Sequence, residues 1–338
     1  MYGTWACTAV VVVVPIIAGT FPARAQDEFY KGKTISVVVG SKSSGSISVT
    51  AQLLARHLGR HLPGHPTGIA QQMPGGAHLV ATNFVYNVAP ADGLTILAVN
   101  PQVAVAQLTR SPVVRFDIRK FEWLGSTGSD GVLLAIRPDL PYRTFKDLQS
   151  APQDLVVGST GPGSNSYDFP MLLKEFAGAR MRLIAGYSVN TDILLALERK
   201  EVDAWTALGT TVKQAAERGA VRPLVRARTP VAGYDHLPID EDLTTDPVGR
   251  ALMAIRGIPL SIGRAYGVRP GTPADRVAML REAFARMLAD PRFQAEASAA
   301  TIEMEHIPAV DVIDNFQALM SQPPAVLEAM GKYIKVGE

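Results

Sequence analysis

The chain alternates short β-branched or apolar runs with longer stretches in which apolar residues recur every three or four positions. "ISVVVG" from Ile35 precedes an amphipathic pattern over Val49–Leu62, followed by "TGIAQQM", "AHLVATNFVYNVA" and "LTILAVN". Runs of the first kind read as buried strands and the longer periodic stretches as surface helices, so this order predicts βαβ units. A second series, "GVLLAIRPDL", "TFKDLQSA", "DLVVGSTGPGS", "YDFPMLLKEFAG", "MRLIAGYS", "TDILLALERKE" and "VDAWTAL", predicts a second α/β lobe. Beyond it, "SIGRAYGVRPGTPADRVAMLREAFARML" predicts an extended segment, a turn and a helix opening at Thr272 and Pro273, with proline in the tolerated first turn.

The tail after that helix is too short to fold alone, so it is expected to complete the first lobe, and the chain then crosses between lobes twice. The expected crossings lie near Leu133–Arg137 and Arg264–Val268. The expected lobes are residues 26–131 with 264–338, and residues 132–263. A length of 338 residues with 47% hydrophobic content supports two cores.

An apolar block from Ala9 to Ala18 is followed by Ala23-Arg24-Ala25, an A-x-A pattern. It predicts a signal peptide over residues 1–25, cleaved between Ala25 and Gln26, and a periplasmic mature chain. Pro15 and the shortness of the block argue against a stable membrane helix, and no later apolar segment approaches a membrane span. Cys7, the one cysteine, lies in this leader, so the mature chain is expected to lack thiol chemistry. The net charge of +2 has acids and bases interspersed, which gives nucleic acid no surface.

Candidate chemistry concentrates in the loop of "VVVGSKSSGSISVTAQLLARHL", where a strand meets small residues and then a helix, the usual build of an anion cradle. It is no nucleotide loop, because Lys42 precedes the glycine of "SSGS" instead of opening the helix, and no G-x-G-x-x-G occurs. There remain free N–H groups at a helix start, hydroxyls of Ser41, Ser43, Ser44, Ser46 and Ser48, and the Lys42 ammonium. This set suits a carboxylate. The plainer alternative is that the serines only cap the helix and Lys42 is a solvated charge.

His57 and His61 have the i, i+4 spacing of metal ligands, but the glutamate of H-E-x-x-H is missing and the helix dipole accounts for histidines there; no metal and no cofactor are expected. Neither G-x-S-x-G nor S-x-x-K occurs, so no nucleophile is framed for catalysis. "GSTGPGSNS" offers Ser159, Thr160 and Ser164 at the carboxyl end of a strand, where open α/β sheets bind ligands. Tyr187 and Trp205 could stack on a ligand or pack at a lobe edge, and Asp203 closes the turn into its strand.

"FYKGKTISVVVG", "ARHLGRHLPGHPTGIAQQMPGGAHLVATNFVYNVAPADGLTI", "LVVGSTGPGS", "LLALERKEVDA" and "YGVRPGTPADRVAMLREAFARMLADP", in that order, resemble the extracytoplasmic receptors of tripartite tricarboxylate transporters, the Bug proteins. The resemblance covers nearly the whole mature chain. It implies an α/β, type II periplasmic-binding-protein fold with two lobes around a cleft. It also implies a non-enzymatic, monomeric receptor that delivers small carboxylates to a permease of two other subunits. The loop after the first strand, the "PGGA" segment with Gly75, the loop at Asn100-Pro101 and "GSTGPGS" would then face the cleft. This chain departs from the family in the first loop: Ser43, Ser44, Gly45 and Ser48 stand where a proline, glycines and an aspartate are common. Without that aspartate an amino-acid ligand lacks a partner for its ammonium. A sensory or scavenging protein of the same fold is the alternative, and a secreted α/β hydrolase the remote one.

Overall fold

Each β-branched run forms a strand whose carboxyl end leads into a loop and a helix. The computed structural model describes residues 29–41, 46–300 and 302–333; the expected leader lies outside them. In chain order the first part is β1 (Thr34–Val39), α1 (Ser46–Leu58), β2 (Thr67–Gln72), α2 (Leu79–Asn87), β3 (Thr95–Val99), α3 (Val103–Leu108) and β4 (Glu122–Ser126). The second is β5 (Val132–Ile136), α4 (Phe145–Gln149), β6 (Leu155–Ser159), α5 (Asn165–Ala177), β7 (Met181–Ala185), α6 (Asn190–Glu198), β8 (Ala204–Leu208), α7 (Gly209–Glu217) and β9 (Arg222–Arg226). The chain then runs through α8 (Pro247–Ile262), β10 (Ala265–Val268), α9 (Ala274–Ala289), α10 (Pro291–Ala299), β11 (Ile307–Pro308), α11 (Ala309–Met320) and α12 (Pro324–Tyr333).

Two sheets result, ordered β11-β4-β10-β3-β1-β2 and β7-β6-β8-β5-β9. β1 pairs in parallel with β2 and β3, and β10 is antiparallel to both β3 and β4. In the second sheet β6 is parallel to β7 and β8, while β5 is antiparallel to β8 and β9. The carboxyl ends of β1–β4 therefore point toward the crossing, and so do those of β6–β8.

The crossing itself is short. Leu133–Ile136, expected to carry it, is strand β5: its residues are all buried and paired on both sides, so the passage is made by the preceding residues 127–131. The return occupies Gly263 and Arg264, just ahead of β10. The two passages hold each other: Thr127 N–H donates to Arg264 O (3.1 Å), Arg264 N–H to Gly128 O (3.2 Å) and Asp130 N–H to Leu260 O (3.0 Å).

A continuous apolar core runs through both sheets. Trp123 stacks on Phe316 at 4.8 Å, and Leu252, Met253 and Ile255 of α8 join them to Phe169 of α5 and Met330 of α12. α8 starts where Asp246 accepts the N–H groups of Val248 and Gly249, with Pro247 in its first turn. The tail behaves in two ways. β10, β11 and α9–α11 extend the first lobe, whereas α12 packs on α8 and α5, with Tyr333 edge-on to Phe176 and its hydroxyl 3.0 Å from Glu175.

Gly263 has φ +65°, and a Cβ there would lie 1.8 Å from Gly128 O. Gly263→Ala is expected to destabilise the protein by more than about 1–2 kcal/mol, the cost of a left-handed alanine alone. Gly257, buried in α8 with open space where a Cβ would go, is the control: Gly257→Ala should be neutral or stabilising by up to about 1 kcal/mol. Urea unfolding of both variants checks the pair.

Candidate functional site

The carboxyl ends of β1, β2 and β3 bring their loops to face those of β6, β7 and β8. At the end of β1, Ser41 Oγ is sealed from solvent without a hydrogen-bond partner. In the first turn of α1, Ser48 is fully buried and its Oγ is likewise unpartnered. Buried hydroxyls normally find partners, so two orphans beside one helix amino terminus mark a place built for another polar group. Lys42, Ser43 and Ser44 lie outside the described residues, as does the side chain of Ser46, which opens α1. Gly75 is exposed with φ 145°. Asn100 caps α3, its Oδ1 accepting from Gln102 N–H at 3.1 Å and its carbonyl from Val103 N–H.

Across the crossing, the hydroxyls of the second loop form a directed relay. Ser164 Oγ donates to Gly161 O (2.7 Å), so it must accept from Ser166 Oγ (2.9 Å). Ser166 has then used its one hydrogen, and it accepts from both the N–H (3.0 Å) and the hydroxyl (3.1 Å) of Thr160. Thr160 and Ser164 therefore turn only lone pairs outward. What this loop can donate to an anion is backbone: the N–H groups of Asn165 and Ser166 open the 13-residue α5 with no carbonyl of the same helix behind them.

Three expected contacts change character. Ser159 is fully buried at the end of β6, its Oγ donating to Ile184 O of β7 at 3.4 Å. Trp205 is a correction: it lies inside β8 with no exposed surface, in the core with Leu133, Ile193 and Leu197, so its ring cannot stack on a ligand, and its Nε1–H is buried without a partner. Tyr187 is half-buried after β7, packed over Gly158. Asp203 bonds across the sheet instead of closing its turn: its Oδ2 accepts Val156 N–H of β6 at 2.9 Å and its carboxylate faces Arg137.

Sequence reasoning missed what stands behind the second loop. Asp168 Oδ1 accepts Gly163 N–H at 3.0 Å and is itself buried. Arg256 of α8 reaches Asp240 at 2.7 Å, both almost fully buried, and its guanidinium covers the Phe169 ring at 4.3 Å. Burial pushes the Asp168 carboxyl up to about 7, against the pull of the Gly163 N–H and of Arg256; burial also raises Asp240. The available signal was Asp168 in a helix's first turn.

A cavity of about 580 Å³ lies beside the crossing, lined by Ser129–Gly131, by α7 from its first residue Gly209, by residues 230–232 and 235, and by Glu303 and Glu305. None of the residues singled out from the sequence lines it. The described residues lining it include the carboxylates Asp130, Glu217, Asp235, Glu303 and Glu305 and the cation Lys213, with Asp130 also 3.5 Å from Arg264, a poor field for a carboxylate. His57 and His61 are engaged with α10: His57 Nε2 is 2.6 Å from Glu296 and His61 Nε2 3.3 Å from Asp290. Among the described residues no group of three His, Cys, Asp or Glu could hold a metal, and no helix is long and apolar enough to cross a membrane.

No family model matches the chain, and no curated relative is similar to it in sequence. Solved structures are similar in fold. A TctC solute-binding protein from Polaromonas superposes with a TM-score of 0.74 at 18% identity, covering 90% of this chain and 99% of its own. The periplasmic binding protein BugD gives 0.57 at 19%, covering 90% and 98%. MatC from Rhodopseudomonas palustris, solved with bound malate, gives 0.57 at 20%, covering 87% and 99%. A further R. palustris protein, solved with adipate, gives 0.57 at 21%, covering 88% and 97%. The chain has the two-lobed α/β fold of periplasmic binding proteins.

Because the folded pKa of Asp168 exceeds its ordinary value of 3.8, the native state keeps a proton that the unfolded chain releases. Stability therefore falls as pH rises from about 4, and the loss is complete above about 7. Asp168→Asn keeps the acceptor for Gly163 and removes the charge. It should stabilise the protein by about 2–4 kcal/mol at pH 8, each tenfold change in proton affinity being worth about 1.4 kcal/mol, and by little at pH 4. Urea melts at the two pH values measure this; equal effects at both would contradict it.

Proposed function

We propose that the chain is a Bug-type periplasmic receptor that captures a small carboxylate between its lobes and delivers it to a tripartite tricarboxylate-type permease. The observation that carries this reading is the pair of buried, unpartnered hydroxyls, Ser41 and Ser48, at the amino terminus of α1. Across from them the amino terminus of α5 presents a second set of backbone donors. Two helix starts converging on one cleft favour negative charge, and a carboxylate satisfies both. The structural neighbours with malate and adipate support the same ligand class. Lys42 supplies additional charge in this reading.

The lobes are residues 26–131 with 264–338, and 132–263, with α12 reaching back onto the second. Residues 1–25 are removed on export, and the mature protein acts as a monomer without catalysing a reaction. The cleft closes by bending at the paired crossing segments.

A thermal-shift screen of malate, adipate, citrate, aromatic acids and amino acids tests the ligand class. A bound acid at a hundred times its dissociation constant should stabilise the fold by about 2.7 kcal/mol, and amino acids should do less. Ser48→Ala separates binding from folding. It removes an unpartnered buried oxygen, so the ligand-free protein should melt no lower than wild type. Loss of a hydrogen bond to a charged group, about 1.5–3 kcal/mol, should weaken the acid tenfold or more. Lys42→Ala should weaken it by a similar factor. Unchanged affinity in both variants contradicts the site.

A further inference from the structure

The connection from β2 to α2 contains four successive residues with positive φ: Gly75 at 145°, Gly76 at 52°, Ala77 at 49° and His78 at 76°. Glycine takes such angles freely, whereas alanine and histidine are held there at an energetic cost, a pattern that concentrates at ligand sites. The turn sets the His78 ring against the end of β1. A Cβ on Gly40 would lie 2.5 Å from His78 Cα and 2.8 Å from its Cγ, so the glycine next to Ser41 is what admits the histidine. The ring is half-buried, and its Nδ1 is sealed without a partner. The bond that His78 makes within the fold, its carbonyl accepting from Thr82 Oγ1 at 2.9 Å, needs no imidazole.

We propose that His78 is a ligand-binding residue that donates its Nε2–H, uncharged, to a carboxylate of the bound molecule. The inference rests on the carboxylate-receptor reading and names a contact within that site. A sealed Nδ1 with no acceptor carries the lone pair, so the ring hydrogen belongs on Nε2, the opposite corner. Charging the ring would place a second hydrogen on Nδ1 with nothing to receive it. Burial acts the same way, holding the imidazole below its ordinary proton affinity, and no charged described residue on β1, β2 or α2 offsets it. His78 thus supplies a directional donor without adding a cation, and its share of the affinity is flat across neutral pH.

Calorimetry with malate, adipate and citrate on the exported protein tests this, with His78→Phe, which keeps a packed ring but no donor, and His78→Asn, which tolerates a left-handed backbone and retains an N–H. Whichever acid binds should lose about tenfold or more in affinity with His78→Phe and recover most of it with His78→Asn. The ratio of wild-type to His78→Phe affinity should change less than about twofold between pH 6 and 8. Imidazole ¹⁵N spectra of wild type should show the Nε2–H tautomer, with Nε2 shifting on titration; this readout needs no variant to fold. Equal binding by His78→Phe, an unmoved Nε2 signal, or affinity that climbs about tenfold from pH 8 to pH 6 only while His78 is present would overturn the inference and leave the receptor reading standing. Absence of binding by all three acids would overturn both.

Discussion

The antiparallel pair formed by Thr127–Gly128 and Gly263–Arg264 is the constraint on which the rest of the molecule depends. Two backbone hydrogen bonds and one glycine contact at that pair fix where β4 ends, where β10 begins and how the second sheet hangs from the first. Arg264 ties the pair down from the side: its Nη2 donates to the carbonyls of Thr127 (3.3 Å) and Glu303 (3.0 Å), and its Nη1 lies 3.5 Å from Asp130. Because all four parallel strands of one sheet and three of the other end toward this pair, the loops with the most free donors meet there. The shared core of α8, α11 and α12 packs both lobes from the side.

Electrostatics divides the space around the crossing into two unlike flanks. One holds the amino termini of α1 and α5, with orphaned hydroxyls in the first and a hydroxyl relay in the second. The other holds the cavity at the start of α7, whose described lining residues include five carboxylates and a lysine. The relay through Thr160, Ser166 and Ser164 also changes what the second loop does chemically: its serines orient the backbone, and the backbone does the donating.

Much of this was legible in the sequence because strands buried on both faces read as unbroken apolar runs. β1, β3, β5, β6 and β8 lie where such runs occur, and α9 opens beside Pro273 as its turn signal requires. The crossing was misplaced by a few residues because "GVLLAI" signals a buried strand equally well inside a lobe or at its edge, and only pairing distinguishes them. α8 went unread because Pro259 interrupts its pattern; the structure carries the helix through that proline and ends it one turn later, at Gly263. Ser159 and Trp205 carry the chemistry of ligand contacts, but the two-residue period of a strand decides which way each faces, and both face inward. Ser166 and Asp168 act through neighbours two to six residues away whose turn geometry the sequence does not display, and Arg256 acts through Asp240 and the distant Phe169, which no local pattern reveals. His78 was passed over because its value comes from a left-handed backbone that sequence does not display.

The most direct test of a two-lobed receptor hinged at the glycine pair is the distance between lobes. Val88, after α2, and Leu195, in α6, are exposed on different lobes and accept cysteine substitutions for spin labels, the chain's one native cysteine, Cys7, lying in the expected leader. Pulsed dipolar distances with and without a saturating carboxylate are predicted to move to a shorter, narrower distribution on binding. A carboxylate that binds tightly while leaving the distribution unchanged would contradict closure about this pair.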